Sequence, residues 1–488
     1  MGNPATGAIK EKIMKSPLNQ IPLVKALSYV RSVEKPKSVK IVPLSDAAGC
    51  ILAESLYAKY SVPSAPLSAM DGFAVHAEDT KKTIITSFAR VNTGNAIPEG
   101  FNAVLMVEDA EFTGDHPTEI RPAIELTTGD NVRPVGEDIF AGHIILPKGA
   151  VIRPLDIGSI AAYGITEVKV RSLTIGILPT GTELVSPGTV PKPGQLVESN
   201  SIMCAAYLRE FGADVICYPP VIDDKELIRQ AVQKALLECD LLLISAGSSA
   251  GTKDYTSTVL AELGDLKFHG IFLKPGKPVM LSVVSGKPVI GMPGYPISSQ
   301  TVMRALVSEL LASWGYPGPE KEYVDVVLGS IVRSKENLDE YFLYSVGVVN
   351  GKTVAIPHSK GSSVQMSGVR ANAVIHVPSG CKGYAEGTVV SALLTVPKAD
   401  IAKTFLIGGI YDTALFPLME KTAEAGIRIR TGDFVEKEGI RLVQNGYCHA
   451  ACINKGTPVP DGCIGRMCGS VQLVYKKDLA HEFLRLVV

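Results

Sequence analysis

Residues 171–318 constrain this chain most, because apolar strand-like runs and amphipathic runs alternate there at βα spacing. Leu173–Leu178 reads as a strand ending in the turn Pro179-Thr180-Gly181, followed by a helix at Ile202–Phe211 and a strand at Asp214–Cys217. A helix at Lys225–Leu237 leads to the strand Leu241–Ser245 and then to a Gly/Ser-rich loop. A helix near Ser257–Leu263, strands at Phe268–Leu273 and Pro288–Gly291, and a long helix at Ile297–Trp314 complete the stretch. Alternation at these lengths predicts a parallel α/β sheet. Ligands of such sheets bind beyond the C-terminal ends of the strands.

Loops rich in anion-binding chemistry follow those strands. They are Thr180-Gly181-Thr182-Glu183-Leu184, the pair Asp223-Asp224, and the run from Ala246 to Asp254 containing Gly247, Ser248, Ser249 and Gly251. Lys274-Pro275-Gly276-Lys277-Pro278 and Gly291-Met292-Pro293-Gly294-Tyr295-Pro296-Ile297-Ser298 complete the set. Glycine lets backbone N–H groups approach an anion, a following helix adds partial positive charge, and Lys274 and Lys277 can add full charges. Glu183, Asp223 and Asp254 bring three carboxylates to the same edge, a set suited to a Mg²⁺ ion that clamps a phosphoryl oxygen. A purely structural cause would scatter such loops instead of gathering them on one edge.

The flanks have a different character. Residues 20–60 show helical periodicity (Ile21, Val24, Leu27, Val30) and then short strands at Val39–Val42 and Ile51–Leu56. Residues 61–140 form a β-rich insert, and strands return at His143–Leu146 and Glu167–Val170. The insert carries three polar loops: Ser68-Ala69-Met70-Asp71-Gly72, Thr93-Gly94-Asn95, and Gly136-Glu137-Asp138-Ile139 preceded by Arg133. Residues 319–398 predict a small β-barrel with strands at Tyr323–Leu328, Thr353–Ile356, Ala373–Val377 and Val389–Thr395. After Pro397 a further strand–helix unit begins: Thr404–Ile407, Ala414–Ala425, Ile427–Arg430 and Glu438–Gln444. The whole is a multidomain α/β plus β chain.

Charge balance narrows the function. With 48 basic and 49 acidic residues, the chain is not expected to be a dedicated nucleic-acid binder. The apolar run Leu241–Ile244 is too short to cross a bilayer, so no membrane partner is expected. The first twenty residues hold Lys10, Lys12 and Lys15 without an apolar stretch, so no secretory signal is expected. Nine cysteines in this context read as reduced thiols of a cytoplasmic protein.

Taken in order, SAMDGFA, TGNAIPEG, GEDI, PTGTEL, ESNS, Asp223-Asp224, AGSSAGTKDY, KPGKP and MPGYPIS resemble the MoeA / gephyrin E-domain family, the molybdopterin molybdenumtransferases. The resemblance covers about residues 20–398, and Gly361-Ser362-Ser363 with Asn372 is similar to the family's C-terminal β domain. It implies a central MogA-like parallel α/β domain at 171–318 that binds molybdopterin, and a barrel at 319–398. It further implies an elongated N-terminal domain from 19–60 and 141–170, interrupted by the insert 61–140. The implied reaction takes adenylylated molybdopterin (molybdopterin-AMP) and molybdate to molybdenum cofactor and AMP, with Mg²⁺ assisting. The implied assembly is a homodimer whose site pairs one subunit's α/β domain with its partner's β-rich domain. A molybdopterin adenylyltransferase and molybdoenzyme apoproteins or their chaperones are the implied partners.

Asp71, Thr93, Asp138, Glu183, Asp223 and Asp254 carry over as catalytic positions, with Glu183, Asp223 and Asp254 as Mg²⁺ ligands. Gly247, Ser248, Ser249, Gly251, Lys274, Lys277, Pro293, Pro296 and Ser298 carry over as substrate and oxyanion positions. Four places depart from the family pattern: Ala65-Pro66, Ala246, Tyr295, and Tyr344 near a position where the family often has Arg. Losing that Arg would weaken oxyanion binding. A second reading therefore stays open, a catalytically degenerate homologue acting as a scaffold or metal-responsive partner protein.

Residues 399–488 resemble the first half of a periplasmic-binding-protein-like domain. They also hold Cys448, Cys452, Cys463 and Cys468, a C-x3-C-x10-C-x4-C spacing that could bind zinc or an iron–sulfur cluster or could simply pack.

Overall fold

The computed structural model describes residues 20–246, 255–358, 361–432 and 435–477. They form two compact units, one from residues 37–172 and one from the residues before 37 and after 172.

The larger unit is organised by a six-stranded sheet. Its strands and helices are β1 (Thr174–Pro179), α1 (Asn200–Arg209), β2 (Asp214–Cys217), α2 (Lys225–Glu238), β3 (Leu241–Ala246), α3 (Tyr255–Leu263), β4 (Asp265–His269), β5 (Met280–Val284) and β6 (Lys287–Pro293). The order across the sheet is β2-β1-β3-β6-β5-β4. β2, β1, β3 and β6 are mutually parallel, whereas β5 runs antiparallel to both β6 and β4. The sheet is thus mixed, because β5 and β6 are joined by the tight Ser285-Gly286 turn, with φ of 51° and 81°. Leu241, Leu242, Leu243 and Ile244 are fully buried, as a central strand covered on both faces must be, and each contributes about 2 kcal/mol by burial. Asp224 caps α2 by accepting from the Glu226 and Leu227 N–H groups at 2.9 Å.

After β6 the chain enters α4 (Pro296–Val302), a π-turn (Met303–Val307) and α5 (Ser308–Ser313). The helix Leu23–Arg31 packs on this region. Trp314 Nε1 donates to the Val33 carbonyl at 3.1 Å, and Arg31 pairs with Glu309 at 2.8 Å. Residues 20–36 therefore pack with the α/β unit.

The barrel consists of β7 (Tyr323–Leu328), β8 (Asp339–Val349), β9 (Lys352–Pro357), α6 (Gln365–Arg370), β10 (Ala373–Val377) and β11 (Val389–Leu394). It closes in the order β8-β9-β7-β11-β10-β8. β8, its longest strand, is absent from the sequence reading. It is mostly buried on both faces, so it lacks the alternation that marks a half-exposed strand.

The tail is a small α/β module: β12 (Thr404–Gly409), α7 (Phe416–Glu424), β13 (Arg428–Thr431), α8 (Glu436–Gln444), β14 (Ala450–Asn454), β15 (Cys463–Cys468) and β16 (Val471–Lys476). Its strand order is β13-β12-β14-β16-β15. One face shares a core with the barrel, where Val349, Val354 and Ile356 meet Leu406, Leu442 and Val474. Gly347 permits this approach, since a Cβ there would stand 2.7 Å from the Thr404 carbonyl.

In the smaller unit, Val39–Pro43 pairs antiparallel with Glu167–Arg171, and Ile144–Leu146 pairs with Leu56–Tyr57. The two ends of this segment thus come together around the insert. A helix, Pro154–Ala162, absent from the sequence reading, lies between the two returning strands. The insert's core is a three-stranded sheet of Gly72–Val75 between Ala89–Val91 and Ala103–Met106.

Candidate functional site

Sheet register places the anion-binding loops of the larger unit side by side. Pro179 lies opposite Ser245, and Ala246 opposite Pro293, so β1, β3 and β6 end level. The strand order reverses between β1 and β3, the usual ligand crevice of an open α/β sheet. Asp223 joins the loop after β1: its N–H donates to Thr182 Oγ1 at 3.1 Å and its carboxylate accepts from the Thr182 N–H at 3.3 Å. The carboxylates of Glu183 and Asp223 thus come from adjoining loops. Asn200 ties a third loop in, donating from Nδ2 to the Gly294 carbonyl at 2.8 Å. Gly247, Ser248, Ser249, Gly251 and Asp254 lie outside the described residues.

Lys274, Lys277, Pro293 and Ser298 come together in a cleft of about 250 Å³, completed by Glu340, His358, Gly361 and Ser362 from the barrel. A two-residue parallel pairing holds it together, with Leu273 opposite Asp339 and Lys274 opposite Glu340. Gly276 turns the chain between the two lysines at φ +119°, where a Cβ would press on Leu273 and Val302 at 3.0 and 3.1 Å. Pro296 opens α4 at its first position, where its fixed φ suits the helix, and Ser298 follows in the cleft wall.

Lys274 pairs with Glu340 at 2.9 Å, and the Glu340 side chain is only 3% exposed. Burial pushes the Glu340 carboxyl up, but the Ser334 hydroxyl, Lys274 and the Lys335 N–H outweigh it and hold the group below its ordinary value. Glu340 is therefore a carboxylate that takes up part of the Lys274 charge. Lys277 has no acidic partner among the described residues and offers its full charge. Tyr295, at the cleft rim, is half exposed. Tyr344 turns into the barrel core beside Val326 and Ile375, so it faces no oxyanion. Burial raises its hydroxyl's pKa. The sequence reading missed Glu340 and His358, because β8 gave no strand signal and His358 follows β9 as an isolated histidine.

In the smaller unit, Asp71 and Thr93 meet. Asp71 Oδ1 accepts from the Thr93 N–H at 2.6 Å and from its hydroxyl at 2.9 Å. These bonds, the backbone one foremost, hold the exposed carboxyl below its ordinary value. Gly72 lets the strand press against its neighbour: a Cβ there would lie 2.0 Å from the Leu105 carbonyl oxygen. Asp138 accepts from the Tyr163 hydroxyl at 2.8 Å.

The tail cysteines do not converge. Cys448 and Cys463 belong to the core shared with the barrel, whereas Cys452 and Cys468 belong to the opposite core under α7. Cys463 and Cys468, five positions apart on β15, point to opposite faces by strand alternation, whereas Cys448 precedes β14 and Cys452 lies within it. Among the described residues no group of three or more His, Cys, Asp or Glu side chains is placed to hold a metal. Of the metal-binding and packing alternatives left open for these cysteines, this placement is that of core packing. His449 is also structural: Nδ1 accepts from the Leu406 N–H and Nε2 bonds the Val348 carbonyl, both at 2.9 Å.

A cleft lined by Lys274 and Lys277 beside the glycine loops of an open α/β sheet is chemically suited to phosphorylated or oxyanionic ligands. Comparison with known proteins makes the class specific. Residues 21–164 match the model described as MoeA N-terminal region (domain I and II), residues 176–313 the "Probable molybdopterin binding domain", and residues 325–395 the MoeA C-terminal region (domain IV). A Methanocaldococcus jannaschii protein named for molybdopterin biosynthesis is 30% identical over 410 residues, 78% of this chain and 100% of the relative. The Haemophilus influenzae molybdopterin molybdenumtransferase is 32% identical over 57% of this chain and 73% of its own length. The crystal structure of a Pyrococcus horikoshii MoeA molybdopterin biosynthesis protein superposes with a TM-score of 0.65 at 30% identity, over 78% of this chain and 100% of that one. The chain belongs to the MoeA family. The tail beyond residue 395 lies outside all three family models. Among the described residues no helix is long and apolar enough to cross a membrane.

Proposed function

We propose that this protein is a molybdopterin molybdenumtransferase of molybdenum cofactor biosynthesis, transferring molybdenum from molybdate to adenylylated molybdopterin with release of AMP. The observation that carries this reading is the cleft between the α/β domain and the barrel, where Lys274, Lys277 and Ser298 face one space. Its volume of about 250 Å³ is several times the ~30 Å³ share of one water, room for a tetrahedral oxyanion. At 4 Å and an effective dielectric of 20, each unit of anion charge gains about 4 kcal/mol from a lysine such as Lys277. Ser298 supplies a hydroxyl donor, and Lys274, shared with Glu340, orients more than it attracts.

The adenylylated pterin suits the glycine loops at the β1–β3 crevice, which offer backbone N–H groups to its phosphates. Molybdate and the adenylylated pterin are both anions that must be brought together, so the protein's contribution is orientation and charge neutralisation. Glu183 and Asp223 fit a hard divalent cation: they are exposed or half-buried carboxylates on adjoining loops, and Mg²⁺ takes one or two carboxylates beside water and phosphate oxygens. When bound there, with Asp254 as the expected third ligand, Mg²⁺ would neutralise charge on the phosphoryl oxygens. Asp71, held ionised by Thr93, and Asp138 complete the site from the β-rich domain of the partner subunit in a homodimer. The protein works in the cytoplasm, receives its pterin from an adenylyltransferase, and passes the cofactor to molybdoenzyme apoproteins or their chaperones.

Expression in a bacterial strain lacking its own molybdenumtransferase tests this reading. Restored molybdoenzyme activity at low molybdate is the expected result. A strain that makes the folded protein and stays without activity would overturn it.

A further inference from the structure

The tail touches the cleft through one short element. α6 begins three residues after Ser362, which lines the cleft with Gly361, and the Ile297 N–H donates to the Ser362 carbonyl at 3.3 Å. At its start Gln365 Nε2 donates to Ser199 Oγ at 2.9 Å, which ties it to the α/β domain. At its end the last carbonyls of the helix are met by a tail residue. Arg430 Nη1, on β13, donates to the carbonyls of Arg370 at 2.6 Å, Ala371 at 3.2 Å and Val369 at 3.4 Å. The tail grips the same residue a second time, since the Arg370 guanidinium lies 3.9 Å over the ring of Tyr411. The Arg370 carbonyl also accepts from Ser345 Oγ at 3.1 Å, and that hydroxyl bonds His358 Nε2 at 2.8 Å. His358 stands in the cleft wall.

We infer that the tail braces the oxyanion cleft, with Arg430 as a positioning residue that fixes α6 and, through it, the wall formed by Gly361, Ser362 and His358. The physical basis is threefold. A helix of six residues leaves most of its terminal carbonyls without partners inside the helix, so it holds its place only if outside donors meet them. A cation at a helix C-terminus is favoured by the dipole as well as by the hydrogen bonds. The tail itself is immobilised by its shared core with the barrel and by Arg441, which pairs with Glu386 at 2.5 Å and with Glu438 at 2.6 Å. Arg430 is thus a donor mounted on a fixed support. The inference that oxyanion affinity responds to the tail rests on the function proposed for the cleft; the bracing itself does not.

Two readouts on the full-length protein separate these levels. The first is amide hydrogen exchange of residues 361–371 without ligand in wild type, Arg430→Gln, Arg430→Lys and Tyr411→Leu. Bracing predicts exchange at least tenfold faster in Arg430→Gln, intermediate in Arg430→Lys, and faster in Tyr411→Leu, as when charge-assisted bonds are lost, with β3 and β6 unchanged. Unchanged exchange at 361–371 in both Arg430→Gln and Tyr411→Leu would overturn the inference. The second readout is turnover: in Arg430→Gln the KM for molybdate rises about tenfold while kcat at saturation stays within about twofold. Equal loss in both would mark Arg430 as a merely structural residue and overturn its positioning role. If wild type shows neither molybdate affinity nor turnover, the cleft reading fails, and hydrogen exchange alone decides whether Arg430 holds α6.

Discussion

His449 gives the tail a defined acid sensitivity. It is buried, stacked on Phe405 at 4.3 Å between centroids, and uses both ring nitrogens on backbone groups. Burial pushes its pKa down from 6.5 to about 4 against the opposing Val348 carbonyl, and Nδ1 cannot take up a proton without losing the bond it accepts from the Leu406 N–H. A histidine whose folded pKa is depressed is protonated more readily in the unfolded chain. Its contribution to stability is therefore complete above about pH 6.5 and is lost as pH falls towards 4. At about 1.4 kcal/mol per tenfold change, the full effect is about 3 kcal/mol, of which about 2 kcal/mol is gone by pH 5. The variant His449→Gln retains an acceptor for the Leu406 N–H and a donor for the Val348 carbonyl but cannot take up a proton. Urea unfolding, followed by hydrogen exchange in β12 and β14, would be compared at pH 7 and pH 5. Wild type should lose about 2 kcal/mol more than His449→Gln over this interval. Equal losses in the two proteins would refute the reasoning.

Other outcomes follow from the site. Asp71→Asn, keeping the shape of the loop but not its charge, should lower turnover by about 10²-fold or more with a melting temperature close to that of wild type; full activity would remove Asp71 from the site. Lys277→Met should raise the KM for molybdate by roughly 10–100-fold, the loss of one charge-assisted contact, with the fold unchanged by circular dichroism. Mixing subunits carrying Asp71→Asn with subunits carrying Lys277→Met should recover part of the activity if each site takes residues from both subunits, whereas no recovery would place both residues in a site within one chain. Gly72→Ala drives a methyl into the Leu105 carbonyl and should destabilise the β-rich insert by about 3 kcal/mol or more, seen as an early transition in thermal unfolding.

Much of this architecture is legible in the sequence where elements have one buried face or none exposed. The run Leu241–Ile244 announces a central strand, and the glycine and lysine loops announce a ligand edge, because such residues are costly or unneeded elsewhere. Legibility fails where tertiary contact sets the pattern. β8 has no alternation because barrel core and tail cover it from both sides. β5 (Met280–Val284) is absent from the sequence reading, and its antiparallel pairing with β6 makes the sheet mixed. The tail cysteines look like a ligand set in one dimension and part to two faces once β14, β15 and β16 are formed. Within the site, Lys274, Lys277 and Ser298 could be read from their loops, whereas Glu340, His358 and Arg430 matter through partners distant in sequence.

The central claim is molybdenum transfer, and AMP release tests it most directly. Purified protein would be incubated with adenylylated molybdopterin and Mg²⁺, with and without molybdate, and with tungstate in parallel. The account predicts AMP release that depends on the oxyanion, with active cofactor formed in step and with Lys277→Met shifting the molybdate dependence to higher concentration. A folded protein that binds adenylylated molybdopterin yet releases no AMP with either oxyanion would contradict it.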